Sequence, residues 1–379
     1  MSPYDAPMDF AAVVPPHVAK PLELLPFRAV MLAPARVGDP ASARALARPY
    51  RDVAARLTQW VDRGLASSDT GPALYLHEYT SGGLTVRGLV GALRVSERAT
   101  TLAERAVWPH EAIHPEQAGD LADRMLQMDL NPAPILLVHH GRQALRDILG
   151  EVARTAPDWR YLDRTGQRQR IWAIRDEDLI TTVNGLLAGS RCLVADGHHR
   201  YAAYLRLQQE HPGTAWDSGL AMLVDQRDTP LFLGAIHRTL PGASMDALVL
   251  AARDAGAEVR VHDRHHALGA LDSTHLVVTD GDTWHTVGPL ELERTAAVSW
   301  LHDDVIPRLS TPLDRTAYHH TVEEALAAAS RTAPAVLLPS PDFDQVRSVV
   351  ESGGLLPEKA TSFQPKPSLG VIMRPVRDA

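Results

Sequence analysis

The chain has 379 residues and a mass of 41.3 kDa, more than one ordinary hydrophobic core accommodates, so two domains are expected. Hydrophobic residues make up 45% and charged residues 22%, which excludes global disorder, a collagen-like chain and a coiled coil. A net charge of -8 argues against a general nucleic-acid binder, and the single Cys192 excludes an internal disulfide or a cysteine-built zinc site.

The opening residues, Met1-Ser-Pro-Tyr-Asp5, show no basic region followed by an apolar core. No apolar run approaches the ~18 residues of a membrane span. A soluble, cytoplasmic protein is expected, with neither a membrane nor a nucleic acid as partner. Residues 1–26 are proline-rich and read as extended. Phe27–Leu32 reads as a strand. Over Ala41–Gly64 the residues Leu46, Tyr50, Val53, Leu57, Trp60 and Val61 recur at three and four, which predicts a helix. Ala73–Tyr79 and Leu84–Val95 alternate as strands around the turn Thr80-Ser81-Gly82-Gly83. Helices are expected at Glu116–Met128, Gln143–Thr155 and Asp176–Leu187, and strands at Pro134–His139 and Gln167–Ile174. Arg191–Ala195 reads as a strand and Arg200–Glu210 as a helix. Leu220–Val224 and Leu231–His237 read as strands. From about residue 241 the texture turns to alanine-rich helices and short strands. This predicts a mixed α/β (α+β) protein with a large domain at 1–240, a smaller α/β domain at 241–350 and a C-terminal segment at 351–379.

The joint Asp196-Gly-His-His-Arg200 carries the most chemistry. A buried strand stops at Asp196, and Gly197 permits a tight turn with close backbone approach. A helix opens immediately afterwards. Its first N–H groups are unpaired and carry the positive end of the helix dipole, so an anion is favoured there. Arg200 adds a planar, permanently charged phosphate ligand. His198 and His199 add donors or bases, and Asp196 can cap the helix or hold a metal or a hydroxyl group. Only three of the 38 basic residues are lysine. Two of them, Lys359 and Lys366, sit in the proline-punctuated segment 356–367, which has no helical period. Lysine is a compact point charge suited to a phosphate or a carboxylate. One of the two is therefore expected near the 198–200 loop, with the C-terminal segment returning to close the site.

Ala195-Asp-Gly-His-His-Arg-Tyr201 resembles the signature of the bacterial and archaeal family known as domain-of-unknown-function family 1015. Further segments agree in the family's order. Pro3-Tyr4-Asp5 resembles its N-terminal motif, with Ser2 in place of a proline. Ala73-Leu-Tyr-Leu76 and Val86-Arg87-Gly88 resemble its central hairpin. Pro109-His110-Glu111 followed by Asp123-Arg124 resembles its Pro-His-Glu…Asp-Arg segment, with Ile113 where threonine is usual. Ile236-His237-Arg238 resembles its Thr-His-Arg. Leu356–Pro367 resembles its C-terminal motif, from which Glu358 and Ala360 depart. The loop is also similar to that of free serine kinases of the ParB/sulfiredoxin superfamily.

That resemblance implies a ParB/sulfiredoxin-like nucleotide-binding core with a second, smaller α/β domain. It implies a nucleotide-dependent phosphotransferase acting on a small hydroxyl substrate, such as a hydroxy amino acid or its phosphate, with ADP or ATP and Mg²⁺ as cofactors. Carried over residue by residue, Asp196, Gly197, His198, His199 and Arg200 form the phosphate loop. Mg²⁺ is expected to be held largely by phosphates and water, with Asp196 its protein ligand. Glu111 is the candidate base. Arg124, Lys359 and Lys366 are candidate nucleotide cations, and Arg87, His110 and His237 candidate substrate contacts. Two alternatives stay open: a metal-dependent hydrolase or phosphatase, and a non-enzymatic nucleotide-sensing regulator. A homodimer is also left open. His110-Glu-Ala-Ile-His114 spells the zinc-protease pattern, but that pattern works only in mid-helix. Pro109 and Pro115 bracket it, and a following proline biases His114 away from helical geometry.

Overall fold

The computed structural model of the protein describes residues 12–47, 53–290, 296–310, 313 and 315–376. The Pro3-Tyr4-Asp5 motif lies outside the described residues. The chain forms two compact units, Met1–Leu231 with Pro365–Ala379, and Phe232–Gln364. Its class is mixed α/β.

In the first unit, α1 (Pro40–Ala47) and α2 (Val53–Asp62) occupy the stretch read as one helix, and residues 48–52 between them are outside the described set. The unit is organised on a nine-stranded sheet. Its strands are β1 (Leu24–Leu25), β2 (Leu74–Ser81), β3 (Leu84–Arg94), β4 (Val107–Trp108), β5 (Ile135–His139), β6 (Trp159–Leu162), β7 (Arg168–Ile174), β8 (Cys192–Asp196) and β9 (Ser218–Asp225). They run in the order β4-β8-β5-β9-β3-β2-β7-β6, with β1 also paired to β3. The β4–β8 and β5–β9 pairs are parallel and the others antiparallel. The β2–β3 hairpin closes as its sequence asks. Ser81 pairs with Leu84, and Gly82 and Gly83 take φ of 57° and 83°, which side chains disfavour.

The helices α3 (Pro115–Met128), α4 (Gln143–Arg154), α5 (Glu177–Leu187) and α6 (His198–Glu210) bury their apolar stripes with this sheet. On α6, Tyr201, Tyr204, Leu205 and Leu207 recur at three and four and enter the same core as Leu76, Trp172, Val194 and Leu223. Full burial of each such side chain is worth roughly 1.5–3 kcal/mol. The Tyr201 hydroxyl donates to the Pro16 carbonyl at 2.8 Å and accepts from the Val18 N–H at 3.0 Å. Gly219 of β9 lies under the Tyr204 ring so closely that a Cβ would sit 2.2 Å from the ring, so any side chain there forces α6 off the sheet.

In the second unit, the stretch read as one strand at Leu231–His237 is two strands serving different sheets. β10 (Phe232–Ala235) pairs with β17 (Thr361–Gln364), and β11 (His237–Thr239) joins a six-stranded antiparallel sheet. That sheet also contains β12 (Val259–His262), β13 (Leu276–Thr279), β14 (Trp284–Val287), β15 (Ala317–His319) and β16 (Ala335–Leu337), in the order β12-β14-β13-β16-β11-β15. The unit also contains helices α7 (Met245–Asp254), α8 (Ala297–Trp300), α9 (Val322–Ala328) and α10 (Phe343–Glu351), and a short helix at Arg264–Gly269. A small apolar cluster of Val277, Trp284, Ala325, Ala335 and Leu337 forms part of its core.

Candidate functional site

The β8–α6 joint is built as a sharp turn onto an uncapped helix. A bulge between Val194 and Asp196 breaks the strand's alternation, a device that re-aims a side chain. Gly197 then takes φ 92°, ψ 34°, a left-handed conformation that L side chains resist. No side chain caps α6, so its first N–H groups keep their positive end available. Arg200, one turn in, donates to Asp196 Oδ2 at 2.6 Å and to the Pro134 carbonyl. The other carboxylate oxygen accepts from Lys366 Nζ at 2.5 Å, across 170 residues of sequence. Burial works to raise the Asp196 pKa, but the Arg200 and Lys366 charges beside it hold it below the usual carboxylate range. One carboxylate thus faces two cations at the positive end of a 13-residue helix, a locally electropositive arrangement.

The segment 109–114 docks onto this helix start through paired histidines. The His110 N–H donates to His198 Nε2 at 3.4 Å, and the two rings meet edge to face with centroids 4.6 Å apart. The His114 N–H donates to His199 Nε2 at 3.2 Å, with the rings stacked at 6.2 Å. An Nε2 that accepts an N–H bond belongs to a neutral imidazole carrying its proton on Nδ1. Burial lowers the His198 pKa to about 3, aided by His110. In this arrangement His198 and His199 hold the 109–114 segment. The carboxylate of Glu111 is thereby placed close to His198, with Oε1 3.6 Å from His110 Nε2 and the side chain 14% exposed. Helix α3 begins at Pro115, and His114, with φ -86° and ψ 117°, stands outside it. The zinc-protease pattern is therefore not on a helix, and its two histidines meet different partners.

Asp196 is also the expected Mg²⁺ ligand. Both Asp196 oxygens are taken by cations, and the neighbouring histidine Nε2 atoms accept backbone N–H bonds. Among the described residues no group of three or more His, Cys, Asp or Glu is placed to hold a metal ion.

The remaining candidates fall into two groups. Arg87, on β3, is spent in a network. It reaches Glu78 Oε2 at 3.0 and 3.2 Å and Asp228 at 3.4 Å, while Arg170 takes the other Glu78 oxygen. Arg124 lies on α3, 3.8 Å from Asp120. His237 and Lys359 belong to the second unit. His237 Nδ1 accepts from the Leu338 N–H at 3.1 Å, and burial, with Arg238 beside it, lowers its pKa to about 4. Lys359 sits in a left-handed turn at φ 56°.

Sequence reasoning missed what holds Lys366. Tyr79 donates to the Pro365 carbonyl at 2.6 Å, and Gln167 Nε2 to the Lys366 carbonyl at 3.1 Å. Ser368 donates to Gln167 Oε1 at 3.1 Å. Behind Gln167, Gln169 is fully buried between His77 at 2.7 Å and Asp163 at 2.9 Å. The available signal was a glutamine and a histidine on strand positions that alternation assigns to the interior.

The model of the family DUF1015, described as a protein of unknown function, matches residues 23–302. The chain belongs to this family. SbnI with C-terminal truncation, from Staphylococcus aureus, is similar in structure at 14% identity and TM-score 0.42, over 72% of this chain and 84% of that one. A free serine kinase variant in complex with ADP is similar at 14% and 0.38, over 70% and 88%. A conserved hypothetical protein from Pyrococcus furiosus is similar at 14% and 0.36, over 70% and 92%. No curated protein matches this DUF1015 chain.

Proposed function

We propose that this protein is a nucleotide-dependent phosphotransferase acting on a small hydroxyl substrate, with the α6 N-terminus as its phosphate site. The observation that carries this reading is the uncapped helix opened by left-handed Gly197, with Arg200 and Lys366 converging on Asp196 at the same point. Phosphoryl transfer asks a protein mainly for positioning and charge neutralisation, and these are the groups that supply both. The choice of ADP or ATP, and of a serine-type hydroxyl or its phosphate, comes from the resemblance of the Asp196–Arg200 loop to that of free serine kinases.

In this reading the α6 N–H groups, Arg200 and Lys366 bind the phosphates, and Asp196 pre-aligns both cations. Glu111, held beside the loop by the His110–His198 and His114–His199 pairs, takes the proton from the substrate hydroxyl as its oxygen attacks phosphorus. The charge left on the departing nucleotide falls on the helix terminus and the two cations. Mg²⁺ is assigned largely to the nucleotide's own phosphates and water, with Asp196 as its candidate protein ligand. The C-terminal segment supplies Lys366 and so completes the site.

The test pairs calorimetry with phosphorus NMR. Arg200→Ala should weaken ADP binding by about 1.5–3 kcal/mol, the worth of charge-assisted hydrogen bonds. Arg200→Lys should recover part of that, which separates charge from folding. Wild-type protein given ATP or ADP and a panel of hydroxy amino acids should yield a new phosphomonoester resonance. ADP affinity unchanged by Arg200→Ala would remove α6 as the phosphate site.

A further inference from the structure

The second unit contains a cavity of about 400 Å³ lined by its own residues. This lies within the volume range of small-molecule sites, roughly 300–1,000 Å³. Its inner wall is apolar and almost fully buried: Ile236, Val298, Leu338 and Ala360 are each no more than 5% exposed. Its rim is polar, with Ser340, Gln345 and Ser348.

Two neighbouring parts of that wall are fixed by one buried arginine. Arg238, 0% exposed, donates to the Ile236 carbonyl and, through Nη2, to the carbonyls of Glu358 at 3.1 Å and Lys359 at 2.9 Å. Ile236, itself one of these anchored residues, and Ala360, which follows Lys359, both line the cavity. The β10–β17 ladder, in which Ala235 faces Thr361, joins the same two segments. The cavity is therefore preorganised: a ligand entering it orders little that is not already ordered. It is also where two sequence segments singled out independently, 236–238 and 356–360, come together.

The charge around the cavity selects the ligand class. Among the described residues that line it, none is lysine, arginine or histidine, whereas Asp342 and Asp344 both lie on the rim. The helix terminus that could attract an anion is already capped, since Asp342 Oδ1 accepts from the N–H groups of Asp344 at 2.7 Å and Gln345 at 3.3 Å. Among the described lining residues, a phosphate or carboxylate would meet carboxylates and no cation. The geometry points to a binding site in the second unit for a small molecule with an apolar body and an amine or hydroxyl head, and not for a nucleotide.

Methyl NMR of the full chain tests this, with 3-methylbutylamine and leucinol as probes and inorganic phosphate as contrast. The methyl resonances of Ile236, Val298 and Leu338 should shift saturably with either probe and stay in place with phosphate. Two variants bound the site. Ala360→Leu fills its floor, and Ser348→Trp, at an exposed position on α10, covers its mouth without touching the core. Each should weaken the amine by roughly tenfold or more by removing the space that orders it. Should Ala360→Leu fail to fold, Ser348→Trp carries the test alone. Methyls that ignore both probes overturn the proposal. So do methyls that respond equally to phosphate, and so does full affinity in Ser348→Trp.

Discussion

Two histidine–arginine pairs in this chain show how burial decides what an arginine does. In the first unit, His199-Arg200 opens α6. The Arg200 side chain is 21% exposed, and its guanidinium is shared between one carbonyl and a carboxylate that also binds Lys366. In the second, His237-Arg238 begins β11. Arg238 is wholly buried and its guanidinium is spent on three backbone carbonyls, on His302 at 3.4 Å and on the face of Tyr318. The first cation is held by a carboxylate and keeps a partly exposed face. The second fixes the backbone and has nothing to give a ligand. The same dipeptide reads as a site in one place and as a strut in the other, and exposure together with the kind of acceptor tells them apart.

The comparison breaks most sharply at Glu111. Under the proposed mechanism, Glu111→Gln should cost about 10²–10⁴ in phosphoryl-transfer rate while leaving ADP affinity near wild type. Normal turnover in that variant, read by phosphorus NMR, would leave the loop a binding site without a base. Arg238→Ala should do the reverse. Stranding buried carbonyls and opening a void should cost on the order of 3 kcal/mol or more in urea unfolding of the second unit, with ADP binding by the remaining native protein unchanged. A variant that lost ADP binding with stability intact would make Arg238 a ligand instead of a strut.

Acid sharpens the comparison further. His198 has its pKa lowered to about 3 by burial and His110, and His237 to about 4 by burial and Arg238, both from 6.5. Below pH 6.5 the unfolded chain takes up these protons and the native state does not. Stability contributed by the neutral histidines is therefore complete above about pH 6.5 and lost as pH falls towards 4 and 3. The slope is about 1.4 kcal/mol per pH unit for each such group at most. Urea midpoints measured from pH 7.5 to 4.5 should fall steadily, and a flat profile would contradict the buried, neutral assignment. The smallest effect belongs to Tyr79→Phe. Removing its bond to the Pro365 carbonyl should cost about 1 kcal/mol in stability. Loosening Lys366 in this way should also weaken ADP by a few-fold in calorimetry, and unaltered affinity would detach the C-terminal segment from the phosphate site.

How much of this could be read from the amino acids follows from range. The Asp196–Arg200 turn was readable because everything that makes it is local: a buried run, a glycine and a helical period whose Tyr201, Tyr204 and Leu205 face one way. The β2–β3 hairpin was readable for the same reason. What escaped depends on partners distant in sequence. The rarity of lysine placed Lys359 or Lys366 near the loop, but only the fold shows that it is Lys366 and that its partner is Asp196, and only the fold buries Gln169 between His77 and Asp163. Leu231–His237 has one continuous strand pattern, yet Ile236 divides it because β10 and β11 find different partners. β6 was missed because Arg160 and Leu162 both face solvent at the sheet's edge, so its alternation lacks the usual polar-out contrast. α10 was missed although Asp342 caps it and Phe343, Val346, Val349 and Val350 recur at three and four, because it spans only nine residues.

The division of the chain bears on how the molecule is made. The first unit is not contiguous: Pro365–Ala379 belongs to it, after the whole of Phe232–Gln364 has intervened. Besides Lys366, this late piece supplies Met373, whose backbone exchanges hydrogen bonds with Val30, and Arg374, buried against Asn131, Ser218 and Ala215. On the ribosome, residues 1–231 emerge first and must wait, with those partners unmet, until the intervening unit has been synthesised. The cation that pairs with Asp196 thus reaches the loop only after the intervening unit has been translated.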